Sequence, residues 1–400
     1  MKRSGNGLLV GIVLAVAGGL ALGWFFPLEG VRLAWIGELF LNALKLLVLP
    51  LIFCSMIDAV AGITRRGRLG NVAAATLLYY VATTAIAVTV GLAVVSTLTP
   101  GAGLTPAAGQ APPPVPESGL KAIVEHLVRP NLVEAAARFE VLPVLVFALA
   151  FGTALGRVGE RADAAIAFFA GCNEALLRLV DWLMVVSPAG IGALIAARVG
   201  AAGGGAGFAD ELAAVGAYFV TVLAGLSVHG LVVLPLILRL VAGRRPLEYA
   251  RNLAEALATA FATASSSATL AVTMRLTEER NRVDAETASF VLPLGATVNM
   301  DGTALYEAVA AVFIAQTMAV PMGWAEQVTI AVTATLASIG AAGIPQAGLV
   351  TMVIVLEAVG LPLEGISLIL AVDWLLDRFR TTVNVWGDAV GAAVVAARRS

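Results

Sequence analysis

Charge is scarce in this chain: Asp, Glu, Lys and Arg make up 13% of its 400 residues, against about 25% in an ordinary soluble protein. Cysteine and histidine are nearly missing, with 2 of each. Cys54 and Cys172 both fall inside apolar runs, so they read as small apolar side chains rather than a disulfide or a thiolate metal site. His126 and His229 have no ligand spacing, and no haem motif, zinc motif, phosphate-binding loop or Asn-x-Ser/Thr sequon occurs. Haem, zinc and nucleotide-phosphate chemistry therefore have no carrier here. The formal net charge of −2 identifies no partner, and no nucleic acid is expected as one.

What the chain has instead is apolar surface, with 59% hydrophobic residues and a mean hydropathy of +0.92. Candidate spans are Leu8–Phe26, Leu33–Met56, Val72–Leu98, Leu142–Leu155, Ala164–Ala196, Leu212–Leu240, Ala288–Val320 and Ile366–Ala397; several reach the roughly 20 residues that cross a bilayer. An all-α polytopic protein of the lipid bilayer is predicted, since a β-barrel needs short alternating segments. The first run follows Lys2 and Arg3 like a signal peptide. It is long, lacks a clear cleavage site and leads directly into another run, so a retained helix is expected. Lys2/Arg3, Arg65/Arg66/Arg68, Arg157/Arg161, Arg239/Arg244/Arg245/Arg251 and Arg398/Arg399 fall at alternate ends of successive runs. The positive-inside rule puts them, and both termini, in the cytoplasm of a cell (inner) membrane protein.

Residues 1–245 read as six ordinary apolar helices, with a Pro/Gly/Ala-rich external loop near 99–120 and a short amphipathic stretch from Asn131 to Phe139. Lys45 is expected to snorkel to an interface. From about 246 the pattern breaks twice. Leu253–Met274 is interrupted by Ser265-Ser266-Ser267, and Thr329–Leu356 by the stretch from Ser338 to Pro345. Each is followed by a helix with polar residues in its middle: Asn299-Met300-Asp301-Gly302-Thr303, then Asp373 to Asp388. Paired interruptions of this kind point to re-entrant hairpins around a midplane site; small residues for close helix packing are the competing reading of either one alone.

The last polar helix is the most informative. At about 100° per residue, Asp373, Asp377, Arg380, Thr381, Asn384 and Asp388 share one face, and Arg378 points off it. Charges at membrane depth cost at least about 2.5–3.5 kcal/mol each on insertion scales and usually mark a pathway.

These strings, namely Ser265 to Leu270, Asn299 to Glu307, Ala337 to Leu349 and Asp373 to Asp388, resemble the dicarboxylate/amino acid:cation symporter family, the glutamate transporters. Leu78 to Thr84 and Asn131 to Ala136 match more loosely. The resemblance implies eight transmembrane helices plus two re-entrant hairpins in an inverted-repeat elevator transporter that forms a homotrimer. Residues 1–70 would hold scaffold helices 1 and 2; 71–98, transport-domain helix 3; 99–137, the external loop and the start of helix 4. Residues 138–200 would hold scaffold helices 4 and 5; 201–245, transport-domain helix 6; and 246–400, the transport-domain core. The outer hairpin around Ile344–Gly348 would act as a gate.

The chemistry of the cluster suggests the cargo. Asp377 supplies a negative partner for an ammonium, and Arg380, three residues on, a planar guanidinium for a side-chain carboxylate. Thr381 and Asn384 add neutral hydrogen bonds, and the hairpin backbones near Ser266 and Gly348 can receive an α-carboxylate. The competing structural reading is that Asp377 and Arg380 only neutralise one another. The resemblance implies that Ser265, Ser267, Thr303, Ile344 and Arg378 complete the substrate set. Together the ammonium partner and the guanidinium argue for L-aspartate and L-glutamate.

Hard oxygen donors for Na+ are Asp301, Asp388, Asn299 and Asn384. The resemblance implies one site at Gly295, Asn299, Asn384 and Asp388. A second would use carbonyls of Thr297, Ser338, Ile339 and Ala341, and a third Tyr80, Thr83, Thr84, Asn299 and Asp301. Two departures from the archaeal pattern stand out. Ala264 replaces an arginine before the serine triplet while Arg378 appears later, as in animal members, and Glu307 replaces a glutamine. Glu307 is therefore the expected proton carrier, with K+ countertransport as an added expectation. A proton-only symporter of the same amino acids and a C4-dicarboxylate symporter are the alternatives. A channel needs no matched ammonium and carboxylate receptor. An aspartyl enzyme built on Asp373 and Asp377 is opposed by Arg380, so no enzyme is expected.

Overall fold

The computed structural model describes residues 5–65, 70–102, 129–138, 140–339, 343 and 345–398. Ala341 and Ile344 of the expected site lie outside the described residues, as do the side chain of Lys45 and most of the expected external loop. Among the described residues the chain is helical, with no strand.

The N-terminal part opens with α1 (Gly5–Phe25), short α2 (Pro27–Arg32), α3 (Ala34–Arg65) and α4 (Gly70–Leu98). Pro27 starts α2, where a missing N–H costs nothing because that donor has no intrahelical partner. The short amphipathic stretch is α5 (Leu132–Ala137), and the Asn131 side chain caps it by accepting from the N–H groups of Val133 and Glu134. One 3-10 turn joins α6 (Val141–Val158) to α7 (Asp163–Ala201). The continuous apolar stretch Pro143–Ala201 is thus two helices, as the separate runs in the sequence predict. Next come α8 (Gly205–Val228), a π turn (His229–Val233) and α9 (Leu234–Val241).

The C-terminal part comprises α10 (Pro246–Asn252), α11 (Ala254–Thr263), α12 (Ser266–Glu279), α13 (Ala285–Val298), α14 (Asp301–Thr317), α15 (Trp324–Ser338), α16 (Ala347–Ala358) and α17 (Ile366–Ala397). Both expected interruptions occur. The first falls at Ala264, which is left-handed with φ +50°, and at Ser265, which is extended. Ser265 Oγ accepts from Ala268 N–H at 3.1 Å, so Ser266 and Ser267 already belong to α12. A left-handed alanine costs about 1–2 kcal/mol, which the N-cap and tip contacts offset. The second interruption separates Ser338 from Ala347. A further break divides the expected run Ala288–Val320: Asn299 and Met300 leave helical geometry between α13 and α14.

Every residue of α14 except Gln316 is buried, as befits a helix enclosed on all sides. Apolar stretches long enough to cross a membrane are Pro27–Gly62, Val72–Leu98, Pro143–Ala201, Glu211–Val241 and Ala285–Thr317. Helix α17, 32 residues long, matches them in length and buries its charges inward, Arg378 excepted. The chain is a multi-pass helical membrane protein.

Candidate functional site

The predicted polar face of α17 is the buried one. Asp373, Asp377, Arg380, Thr381, Asn384 and Asp388 are all buried. Arg378 points elsewhere, donating to the carbonyls of Phe261 at 2.8 Å and Ala262 at 2.7 Å. There it satisfies the orphan acceptors at the end of α11, away from the other expected substrate residues.

Arg380 is fully buried, with its guanidinium carbon 3.9 Å from the centre of the Tyr306 ring. Nη2 donates to Asp377 Oδ1 at 2.6 Å, and Nη1 lies 3.2 Å from Asp373 Oδ1. The second oxygen of Asp377 accepts from Gln346 N–H at 2.8 Å, which ties the tip before α16 to α17. Mutual neutralisation of Asp377 and Arg380 is therefore present, yet it does not exhaust the cluster. Arg380 Nε and Nη1 and both oxygens of Asp373 lack hydrogen-bond partners despite their burial. Gly348 faces the same guanidinium: a Cβ there would stand 2.7 Å from Nη1.

The two interrupted segments meet tip to tip. Ser265 Oγ donates to the Gly343 carbonyl at 2.6 Å, and Ser267 N–H donates to the same oxygen at 3.1 Å. Asn384 reaches from α17 to the start of α14, accepting from Gly302 N–H at 2.8 Å and donating to Thr303 Oγ1 at 3.3 Å. Ser265, Ser267, Thr303, Gly348, Asp377, Arg380 and Asn384 are thus linked through the tips and α17. Ser266 and Thr381 are buried beside them.

Oxygen donors gather at the break between α13 and α14. Asn299 Nδ2 donates to Asp388 Oδ1 at 3.0 Å, and Thr83 lies 3.4 Å from Asn299 Oδ1. Thr84 donates to Asp301 Oδ1 at 2.8 Å. Tyr80 OH donates to the Val291 carbonyl at 2.7 Å, and a Cβ on Gly295 would run into Asp388 and that hydroxyl. Two of the expected cation sites, which share Asn299, are therefore contiguous. For the other, Thr297 is exposed and donates back to Leu294, while Ser338 donates back to Thr335. Ile339 ends α15.

Glu307 lies inside α14, wholly buried. One oxygen accepts from the Thr351 hydroxyl on α16; the other has no partner. Among the described residues, Asp301, Glu307, Asp373, Asp377 and Asp388 share this centre with one buried guanidinium, that of Arg380. Fully ionised, five carboxylates and one guanidinium sum to −4, a charge that burial penalises heavily unless protons or cations accompany it.

Sequence reasoning missed three participants. Asp373 was legible on the face, but its contact with Arg380 was not assigned. His229 has Nε2 at 3.0 Å from Asp301 Oδ2, a contact across 72 positions for which no local signal exists. Tyr306 stacks on Arg380 from another helix.

Interrupted apolar helices enclosing a buried, cation-seeking centre are the architecture of a membrane transporter. The chain belongs to the sodium:dicarboxylate symporter family, whose model matches residues 8–398; its members are transporters, not enzymes. Excitatory amino acid transporter 3 of Oryctolagus cuniculus is 40% identical over 450 residues, covering 98% of this chain and 85% of that protein. The excitatory amino acid transporter of Caenorhabditis elegans is 40% identical over 446 residues, covering 98% and 87%. Excitatory amino acid transporter 2 of Homo sapiens is 39% identical over 447 residues, covering 96% and 77%.

Proposed function

We propose that this chain is a sodium-coupled symporter of L-aspartate and L-glutamate that also carries a proton on Glu307, with K+ returning in exchange. The observation that carries the reading is the unfinished charge pairing of Arg380. Its Nε and Nη1 lack hydrogen-bond partners, Nη1 being held only by the 3.2 Å ion pair to Asp373, so the guanidinium keeps donors for a substrate side-chain carboxylate. Asp377 would then exchange its Arg380 and Gln346 partners for the substrate ammonium. The hairpin backbones near Ser266 and Gly348 would take the α-carboxylate, with Thr381, Asn384 and Thr303 adding neutral contacts.

The surplus of buried carboxylates supports cation coupling. Na+ would be cargo at Asp301, Asn299, Thr83, Thr84 and Tyr80, at Asp388, Asn384 and Gly295, and at carbonyls of Thr297, Ser338 and Ile339. Glu307 can exchange Thr351 as a partner when protonated, which suits a proton that travels with the substrate. The names of the relatives support acidic amino acids as substrates.

The same reading divides the chain into a scaffold (1–70 and 138–200) and a transport domain (71–98 and 201–400), working as an elevator in a homotrimer of the cell (inner) membrane with cytoplasmic termini. Exposed Trp35, Leu46, Phe168 and Trp182 suit lipid or subunit contact.

Radiolabelled L-aspartate uptake into proteoliposomes tests the proposal, with and without an inward sodium gradient and against excess L-glutamate, succinate and L-serine. Sodium-dependent accumulation blocked by glutamate alone is expected. Accumulation on a proton gradient without sodium would select the proton-only reading, and block by succinate the C4-dicarboxylate reading.

A further inference from the structure

His229 is wholly buried and opens the π turn between α8 and α9. A π turn inserts an extra residue into a helix and re-aims the side chains beside it, and such insertions recur at functional sites. Here the turn has two consequences. It carries His229 Nε2 to 3.0 Å from Asp301 Oδ2. It also leaves the Gly230 carbonyl to accept the Trp386 indole N–H at 3.0 Å, two residues before Asp388 on α17.

The hydrogen bonding assigns the imidazole. A carboxylate oxygen accepts, so Nε2 carries the hydrogen. Nδ1 is buried without a partner, so a hydrogen there would be orphaned. The Nε2–H tautomer satisfies both conditions. With Thr84 donating to Oδ1 at 2.8 Å, each oxygen of Asp301 is held by a donor from a different helix.

We propose that His229 is a positioning residue for Asp301: its Nε2–H fixes the orientation of that carboxylate toward a sodium ion without touching the ion. This rests on the sodium-coupling reading above. A carboxylate free to turn about its Cβ–Cγ bond would present its oxygens in many directions, and a small cation needs them at defined ones. Partners that orient a ligand from behind typically change metal affinity 10–100-fold. Thr84 is itself one of the expected sodium ligands, whereas His229 touches the site through the other oxygen of Asp301 alone, which makes it the separable contribution.

The test uses the purified full chain. One readout is the rise in thermal stability on titration with NaCl, with choline chloride as the control and no amino acid present. The other is the sodium dependence of L-aspartate uptake in proteoliposomes. His229→Leu fills the space without a donor; His229→Gln restores an N–H at similar reach. The Leu variant is expected to raise the half-maximal sodium concentration about tenfold in both assays, by more than it raises the aspartate KM at saturating sodium, and Gln to recover most of the loss. Should Leu fail to fold, His229→Asn, with a shortened donor, is expected to give an intermediate shift. Lowered stability with unshifted sodium midpoints in the folded variants overturns the inference alone. A wild type indifferent to sodium in both assays overturns the coupling reading and the inference with it.

Discussion

Gly348 lies against the guanidinium of Arg380 so closely that a Cβ would stand 2.7 Å from Nη1 and 3.1 Å from Cζ. The absence of a side chain at Gly348, in the first turn of α16, is therefore what lets that turn approach the buried arginine. Arg380 cannot simply swing aside, because Asp377 holds Nη2 and the Tyr306 ring covers its face. Gly348→Ala should displace Arg380, raising the KM for L-aspartate about tenfold, roughly 1.4 kcal/mol. Thermal stability in detergent should change little by comparison. An unaltered KM would mean that the guanidinium relaxes freely.

Ser265 does two jobs with one hydroxyl, accepting from Ala268 N–H and donating to the Gly343 carbonyl. Ser265→Ala removes the cap of α12, which costs about 1 kcal/mol, and one of the two donors joining the tips. A lower Tm is expected together with faster hydrogen exchange at both tips, read by mass spectrometry on peptides covering 263–268 and 343–348.

Arg378 should behave as a structural residue of the first hairpin. Its paired hydrogen bonds to Phe261 and Ala262 end α11 where Ala264 turns left-handed. Arg378→Ala should cost about 1–2 kcal/mol and raise hydrogen exchange through 254–263. If the exchange of that segment is unchanged, the cap contributes nothing measurable.

Glu307→Gln keeps the volume of the side chain and a partner for Thr351 while removing the group that can lose a proton. Sodium-driven aspartate uptake should persist, and its dependence on external pH, together with substrate-driven acidification of the vesicle interior, should disappear. Retained acidification would move the proton to another buried carboxylate, Asp373 being the one whose two oxygens both lack a hydrogen-bond partner.

The helical character of the chain, its membrane-spanning runs, the two interruptions and the buried face of α17 follow from the sequence by itself, because each depends on neighbours within a few residues. Period 3.6 puts Asp373, Asp377, Arg380, Asn384 and Asp388 on one face whatever they pack against, and the two interruptions fall at a serine triplet and a Gly/Pro stretch, both locally weak helix formers. The partners on that face were decided by tertiary structure alone. Thr84 reaches Asp301 across 217 positions, Arg378 reaches Phe261 across 117, and His229 reaches Asp301 through a π turn that no periodicity announces. Buried carboxylates and the orphan carbonyls of helix ends gain from donors wherever packing supplies them. Only the packed arrangement of α4, the α8–α9 rod, α14 and α17 determines which donors come within reach.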